Sequence, residues 1–183
     1  YARFYILYHH GGLYFDTDVE VIRPMDDIVA RGAFMGCENE AKPGMPELAV
    51  APGLGLGCPS GLRIYAEILD LYAGLHFKCA DGGLNLKTVV AYTTEQLVAK
   101  GLKNVNEVQC VADVWVYPKE YFCPMDYYTS QLNITLQTRS IHHYAASWLS
   151  WRIRVIDKII AMIAKVIGLD RTRSLLYFLC GKH

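Results

Sequence analysis

Two aspartates, Asp16 and Asp18, stand one residue apart at the end of an apolar run in the segment GGLYFDTDVEV. Two carboxylates held this close repel each other, so some other interaction must offset the repulsion. A divalent cation supplies one, because Mg²⁺ and Mn²⁺ bind through one or two carboxylates together with substrate phosphates. Such a cation could act as a Lewis acid on a phosphate leaving group. The residues alone leave open the alternative of an acidic strand end that faces water.

The segments around this pair read as a helix followed by a strand. Residues 1–10 are predicted to form a helix, apolar on all sides and therefore buried, that ends at the Gly-Gly pair. Residues 13–22 are predicted to form one strand. Because side chains alternate along a strand, Asp16, Asp18 and Glu20 would share one face or rim.

Helix and strand patterns interleave along the rest of the chain, which is typical of an α/β sheet. Residues 41–60, rich in glycine and proline, are predicted to form a loop. The predicted helices lie near residues 25–32, 62–75, 86–100, 147–166 and 171–179, and the predicted strands lie within residues 33–40, 108–122 and 133–148.

The composition narrows the classes of function. The 183 residues suit one domain with a real core. Lys plus Arg and Asp plus Glu are 18 each, so the formal net charge is zero, which argues against nucleic-acid binding. The hydrophobic fraction of 52% is high, which indicates an apolar face that contacts a membrane, a partner or a further part of the chain. The sequence has no signal peptide and no apolar run that could span a bilayer, so we expect a cytoplasmic protein with reduced cysteines.

Two blocks of the sequence together resemble the family 32 glycosyltransferases, whose sugar-binding region contains a D-x-D motif. The first block is RFYILYHHGGLYFDTDVEVIRPMDDI, residues 3–28. The second, residues 117–148, is similar to the closing segment of the bacterial capsular and surface-polysaccharide members; the family also includes fungal mannosyltransferases. The resemblance extends from Tyr1 to about Trp151.

The resemblance implies a GT-A-type fold and a metal-dependent transfer that retains anomeric configuration. The implied donor is a UDP- or GDP-sugar, and the implied acceptor is a glycan or a lipid-linked saccharide in surface polysaccharide biosynthesis. Residues 1–150 would form the catalytic core. The βαβ unit that normally holds the nucleotide base, which needs roughly 30 residues, would be missing ahead of Tyr1.

The resemblance also implies a metal site for Mn²⁺ or Mg²⁺. Asp18 would be the direct ligand, and Asp16 would reach the donor ribose or a metal-bound water. His142 would approach the metal or the diphosphate from the C-terminal side, with His143 as the alternative. A hydrogen-bonded structural role is the competing interpretation of His142.

Donor contacts are implied for four further positions. Arg3 and Tyr14 would lie against the donor, and Arg3 would also act together with the two aspartates in catalysis. Ser147 and Trp148 would close over the diphosphate. The competing interpretations are an Arg3 that extends to the helix surface and a Trp148 that packs in the core. Glu38 and Asn39 could point into the sugar pocket or lie in a solvated loop.

The last segment, residues 151–183, reads as a basic amphipathic helical region. Such a helix can lie on an anionic membrane surface, which would suit a lipid-linked acceptor and a peripheral position on the inner face of the plasma membrane. A helix packed on the core with its basic side in water is the alternative.

Two other classes of function compete with glycosyl transfer. A phosphatase or phosphotransferase of the haloacid-dehalogenase type also carries D-x-D after an apolar strand. In that class the residues after the second aspartate are usually small or hydroxylated, whereas Val19 and Glu20 follow here. The second competitor is a non-catalytic module that binds a glycan or a metal.

Overall fold

A computed structural model describes residues 1–41, 48–127, 130–145, 150–168 and 171–172. The helices are α1 (Ala2–His10), α2 (Asp26–Val29), α3 (Arg63–Ala73), α4 (Val89–Val98), α5 (Lys119–Phe122) and α6 (Trp151–Ile167). The strands are β1 (Gly12–Tyr14), β2 (Val19–Val21), β3 (Phe34–Gly36), β4 (Leu56–Cys58), β5 (Gln109–Val111), β6 (Val114–Tyr117) and β7 (Ser140–His142). Helices and strands interleave along the chain, which confirms the predicted α/β class.

The strands form two separate sheets. The larger has the order β1-β4-β3-β6-β5, in which β3 and β6 run parallel and the other neighbours run antiparallel. The smaller sheet is the antiparallel pair β2 and β7. The largest buried cluster joins the larger sheet to α1, α3 and α4, and a second cluster joins it to α2 and α5.

Helix α1 has the predicted position but not the predicted burial. The backbone N–H of Gly11, in the left-handed region at φ 66°, donates to the carbonyl of Leu7 and ends the helix. Phe4 and Leu7 are buried, whereas Tyr5 and Ile6 are 45% and 54% exposed. The expectation of a helix buried on all sides was therefore wrong, because among the described residues α3, β1 and β4 cover one face of the helix and leave the other exposed.

The single strand predicted over residues 13–22 was also wrong. The segment breaks into β1 and β2, which pair in different sheets, and a turn closed by the N–H of Val19 donating to the carbonyl of Asp16 separates them. Both aspartates of the D-x-D motif lie at this turn, so strand alternation does not govern them. Glu20 lies in β2, where it stands opposite Ile141 of β7.

Strand β4 lies inside the predicted loop of residues 41–60. The glycines that favoured a loop serve close packing here, since a Cβ on Gly57 would lie 2.2 Å from the ring of Phe34. Among the described helices, none has the length and apolar character needed to cross a membrane. The helix predicted near residues 171–179 is described only at residues 171–172, and the one predicted from residue 147 is described from Trp151.

Candidate active site

Asp16, Asp18 and His142 form a group in which one ligand atom from each residue lies within 4.8 Å of the others. The pairing of the smaller sheet brings them together, because Val19 stands opposite His142 in the β2–β7 register. Nε2 of His142 lies 3.3 Å from Oδ1 of Asp18. Residues more than a hundred positions apart in sequence thus meet at the D-x-D turn.

Asp18 is held by the chain that follows β7. Its Oδ2 accepts a hydrogen bond of 2.9 Å from the backbone N–H of Ala145, and its carbonyl accepts one of 2.9 Å from the N–H of His143. The side chain is 14% exposed. These bonds fix the carboxylate while leaving its other oxygen turned toward His142.

Asp16 is held by the N-terminal residues instead. The hydroxyl of Tyr14 donates a 2.6 Å hydrogen bond to its Oδ1, and Nη2 of Arg3 lies 3.4 Å from the same oxygen. The guanidinium of Arg3 also stands over the Tyr14 ring, 5.0 Å from its centre. Burial, followed by the hydrogen bond to Asp16, raises the pKa of Tyr14, so its hydroxyl stays protonated and keeps donating.

Gly53 is a site residue that the sequence did not reveal. Its carbonyl accepts a 3.0 Å hydrogen bond from the N–H of Asp16. A Cβ at this position would lie 2.1 Å from Oδ2 of Asp16 and 3.5 Å from Nη1 of Arg3. Gly53 thus makes room for the Asp16 carboxylate, and in sequence it was simply one glycine among several in a predicted loop.

His143 lies apart from this group. Its Nε2 is 2.8 Å from Oε2 of Glu20, and the two side chains are 45% and 58% exposed. The geometry therefore favours His142 over His143 as the third ligand. Glu20, which was expected to share a rim with the aspartates, is engaged in this surface pair.

The residues of the group fit a divalent cation. Two carboxylates and one imidazole supply the oxygen and nitrogen donors that Mn²⁺ or Mg²⁺ accepts alongside a phosphate. Nδ1 of His142 is buried and has no hydrogen-bond partner within the described residues, so Nε2 is the nitrogen that faces Asp18. Arg3 contributes a positive charge beside Asp16, with its Nη2 3.4 Å from Oδ1 of Asp16.

Ser147 and Trp148, the two donor contacts expected near the diphosphate, lie outside the described residues. Asn39, expected either in the sugar pocket or in a solvated loop, accepts a 2.6 Å hydrogen bond from the backbone N–H of Ala49 through its side chain. It therefore shapes the backbone after β3.

Residues 1–35 match the family described as the glycosyltransferase sugar-binding region containing a DXD motif. Inositol phosphoceramide mannosyltransferase 1 of Schizosaccharomyces pombe is 44% identical over 34 residues, which are 19% of this chain and 11% of that protein. No solved structure matches the chain.

These matches confirm the predicted family resemblance in the segment that contains Arg3, Tyr14 and the D-x-D aspartates, and they point to a glycosyltransferase. The relationship to bacterial capsular enzymes is not supported, since the curated relative is a fungal mannosyltransferase.

Proposed function

We propose that this chain carries the donor site of a metal-dependent glycosyltransferase that moves a sugar from a nucleotide diphosphate to a glycan or lipid-linked acceptor. One observation carries the proposal. The segment that matches the D-x-D family contains Asp16 and Asp18, and the fold brings His142 to the same two carboxylates.

In this proposal Asp18 and His142 would hold Mn²⁺ or Mg²⁺. The bound cation supplies Lewis-acid stabilisation of the charge on the leaving phosphate. Asp16, fixed by Tyr14 and Arg3, would reach the donor ribose or a water on that cation. Arg3 also contributes positive charge close to the leaving group.

The charge distribution suits this reaction. The bond between the sugar and the diphosphate breaks through an oxocarbenium-like state while negative charge builds on the phosphate. Fixed positive groups aimed at that charge are usually the largest catalytic term, because they need no reorganisation during the reaction. Retention of anomeric configuration and a GT-A-type core belong to the same proposal.

Helix α6 supports the proposal of a lipid-linked acceptor. Its apolar residues recur every three or four positions and are exposed: Trp151, Val155, Ile159, Met162 and Val166 are 66%, 45%, 46%, 61% and 80% exposed. In the sequence this segment also carries more basic than acidic residues. We propose that residues 151–183 form a unit separate from the core at 1–150 and lie on an anionic membrane surface on its cytoplasmic side.

The name of the fungal relative fits an acceptor of this kind, since it refers to inositol phosphoceramide. For this chain, a lipid-linked saccharide remains part of the proposal, because the match spans 11% of that protein. Surface polysaccharide biosynthesis, which was expected from the bacterial resemblance, has no such support.

A hydrolysis and transfer assay with a panel of UDP- and GDP-sugars tests the proposed function. The chain, Asp18→Ala and the exposed-site control Asp70→Ala are each incubated with Mn²⁺, Mg²⁺ or EDTA. We expect metal-dependent release of one nucleoside diphosphate, lost in Asp18→Ala and kept in Asp70→Ala. A beryllium fluoride adduct on an aspartate, without hydrolysis of any donor, would instead support the phosphotransferase alternative.

A further inference from the structure

Glu38 lies at an edge of the larger sheet where a ligand would be expected. It follows β3 by two residues, and the N–H of Cys37 donates 2.9 Å to the carbonyl of Tyr117 at the end of β6. Because β3 and β6 are parallel, their carboxyl ends open onto the same edge. Crevices outside the carboxyl ends of such strands are the usual ligand sites of α/β sheets.

A short stretch of chain links this edge to the D-x-D turn. The N–H of Glu38 donates 2.9 Å to the carbonyl of Ala49, and four residues later the carbonyl of Gly53 accepts 3.0 Å from the N–H of Asp16. Four extended residues span at most about 14 Å. One sugar nucleotide is long enough to touch both ends of this stretch.

Tyr144 provides a second link, from the side of His142. Its ring stands edge-on to the His142 ring at 4.3 Å, and its hydroxyl lies 2.9 Å from Sγ of the buried Cys123. Cys123 packs in the same buried cluster as Tyr117, the last residue of β6. The carbonyl of Tyr117 accepts the N–H of Cys37, the neighbour of Glu38. Tyr144 therefore connects the group of Asp16, Asp18 and His142 to the end of β6 beside which Glu38 lies.

The Glu38 carboxylate is partly buried, and burial raises its pKa while the charge of Lys119 lowers it. Taking a carboxylate out of water costs free energy unless donors replace the water. A sugar ring offers neighbouring hydroxyl donors, and a carboxylate offers two acceptor oxygens that bind them with charge-assisted strength.

We propose that Glu38 is a specificity-determining residue that binds hydroxyl groups of the transferred sugar at the carboxyl ends of β3 and β6. The inference rests on the proposed function and deepens it. The group of Asp16, Asp18 and His142, with its cation, would hold the diphosphate, and Glu38 would distinguish the sugar attached to it.

Comparing bare and sugar-bearing nucleotides separates these two roles. Calorimetric titrations with Mn²⁺ use GDP against GDP-mannose and UDP against UDP-glucose. The proteins are the chain, Glu38→Gln, Glu38→Asp, Asp18→Ala and, as a control at an exposed glutamate, Glu107→Gln. Thermal melting checks that each variant is folded.

We expect Glu38→Gln to weaken binding of the accepted sugar nucleotide on the order of 10-fold or more, and to leave binding of its bare diphosphate unchanged. Glu38→Asp should restore part of the loss, Glu107→Gln should match the wild type, and Asp18→Ala should lose both ligands. Wild-type binding by Glu38→Gln, or an equal loss for bare and sugar-bearing nucleotides, would overturn the inference alone. Binding of no nucleotide by the wild-type chain would overturn the proposed function together with it.

Discussion

Asp16 and Asp18 are separated by one residue, yet different regions of the molecule hold them. On the Arg3 side, consisting of Arg3, Tyr14, Asp16 and Gly53, the supports come from α1, β1 and the loop before β4. On the His142 side, consisting of Asp18, His142 and Ala145, they come from the smaller sheet and the chain after it. The D-x-D turn thus joins two structural units.

The two sides differ in how far their contacts reach along the sequence. Tyr14 and Asp16 are two positions apart, whereas the bond between Asp18 and Ala145 joins residues 127 positions apart. The His142 side therefore forms only after the C-terminal part of the core has folded onto β2. The motif therefore becomes a complete site through long-range pairing.

The largest expected difference lies between the two neighbouring histidines. His142→Gln should weaken Mn²⁺ binding by at least the roughly 10- to 100-fold that losing an outer-shell partner costs, because it removes a proposed ligand. The matched variant His143→Gln should bind Mn²⁺ like the wild type, since the described side-chain contact that it loses is the exposed pair with Glu20. Both are measured by titration of Mn²⁺. Equal losses in the two variants would contradict the assignment of His142.

Gly53→Ala perturbs the Arg3 side without removing a charged group. Its Cβ would overlap the Asp16 carboxylate, so we expect a stability loss of about 1–3 kcal/mol from overpacking and a weaker donor interaction. Gly74→Ala is the matched control, because the nearest atom to its Cβ lies 3.7 Å away. Denaturant unfolding and donor titration measure the two effects. A Gly53→Ala variant that behaves like Gly74→Ala would remove Gly53 from the site.

Arg23→Met should loosen the His142 side alone. Nη1 of Arg23 donates to the carbonyls of Thr135 and Thr138, the latter at 2.8 Å, just before β7. Leaving these carbonyls unpaired should cost about 1–3 kcal/mol. Hydrogen exchange should accelerate at amides of β2 and β7 and stay slow in β3 and β6. Uniform acceleration in both sheets would show that the two sides are one cooperative unit.

Tyr14→Phe should have the smallest effect. It removes one hydrogen bond to Asp16 and keeps the ring under Arg3, so we expect a loss of about 0.5–1.5 kcal/mol in donor binding. Calorimetric titration with the accepted donor measures it. A loss as large as that of His142→Gln would mean that the hydroxyl contacts the substrate itself.

The sequence predicted the local parts of this architecture well. The end of α1 at Gly11, the helices α2 to α4 and the strands β3, β5 and β6 follow from local signals that the fold keeps. The D-x-D pair suggested a cation because its chemistry is contained in adjacent residues.

The parts that failed depend on tertiary pairing. The pattern of residues 13–22 is continuous, but β4 pairs with its first part and β7 with its last, so the strand breaks between them. Gly53 and Gly57 read as loop glycines, although both permit close contact with side chains distant in sequence. His142 was reached through family resemblance, since no spacing in the sequence links it to Asp18.

Electron paramagnetic resonance of Mn²⁺ tests the proposed cation site, with the metal titrated into the chain, Asp18→Asn and Asp70→Asn, in the presence and absence of GDP or UDP. Asp18→Asn keeps the shape of the side chain and removes its charge, and Asp70 is an exposed aspartate of α3. We expect one bound Mn²⁺, whose affinity a nucleoside diphosphate increases. This binding should be lost in Asp18→Asn and retained in Asp70→Asn. Equal Mn²⁺ binding by all three proteins would contradict a cation site at the D-x-D turn.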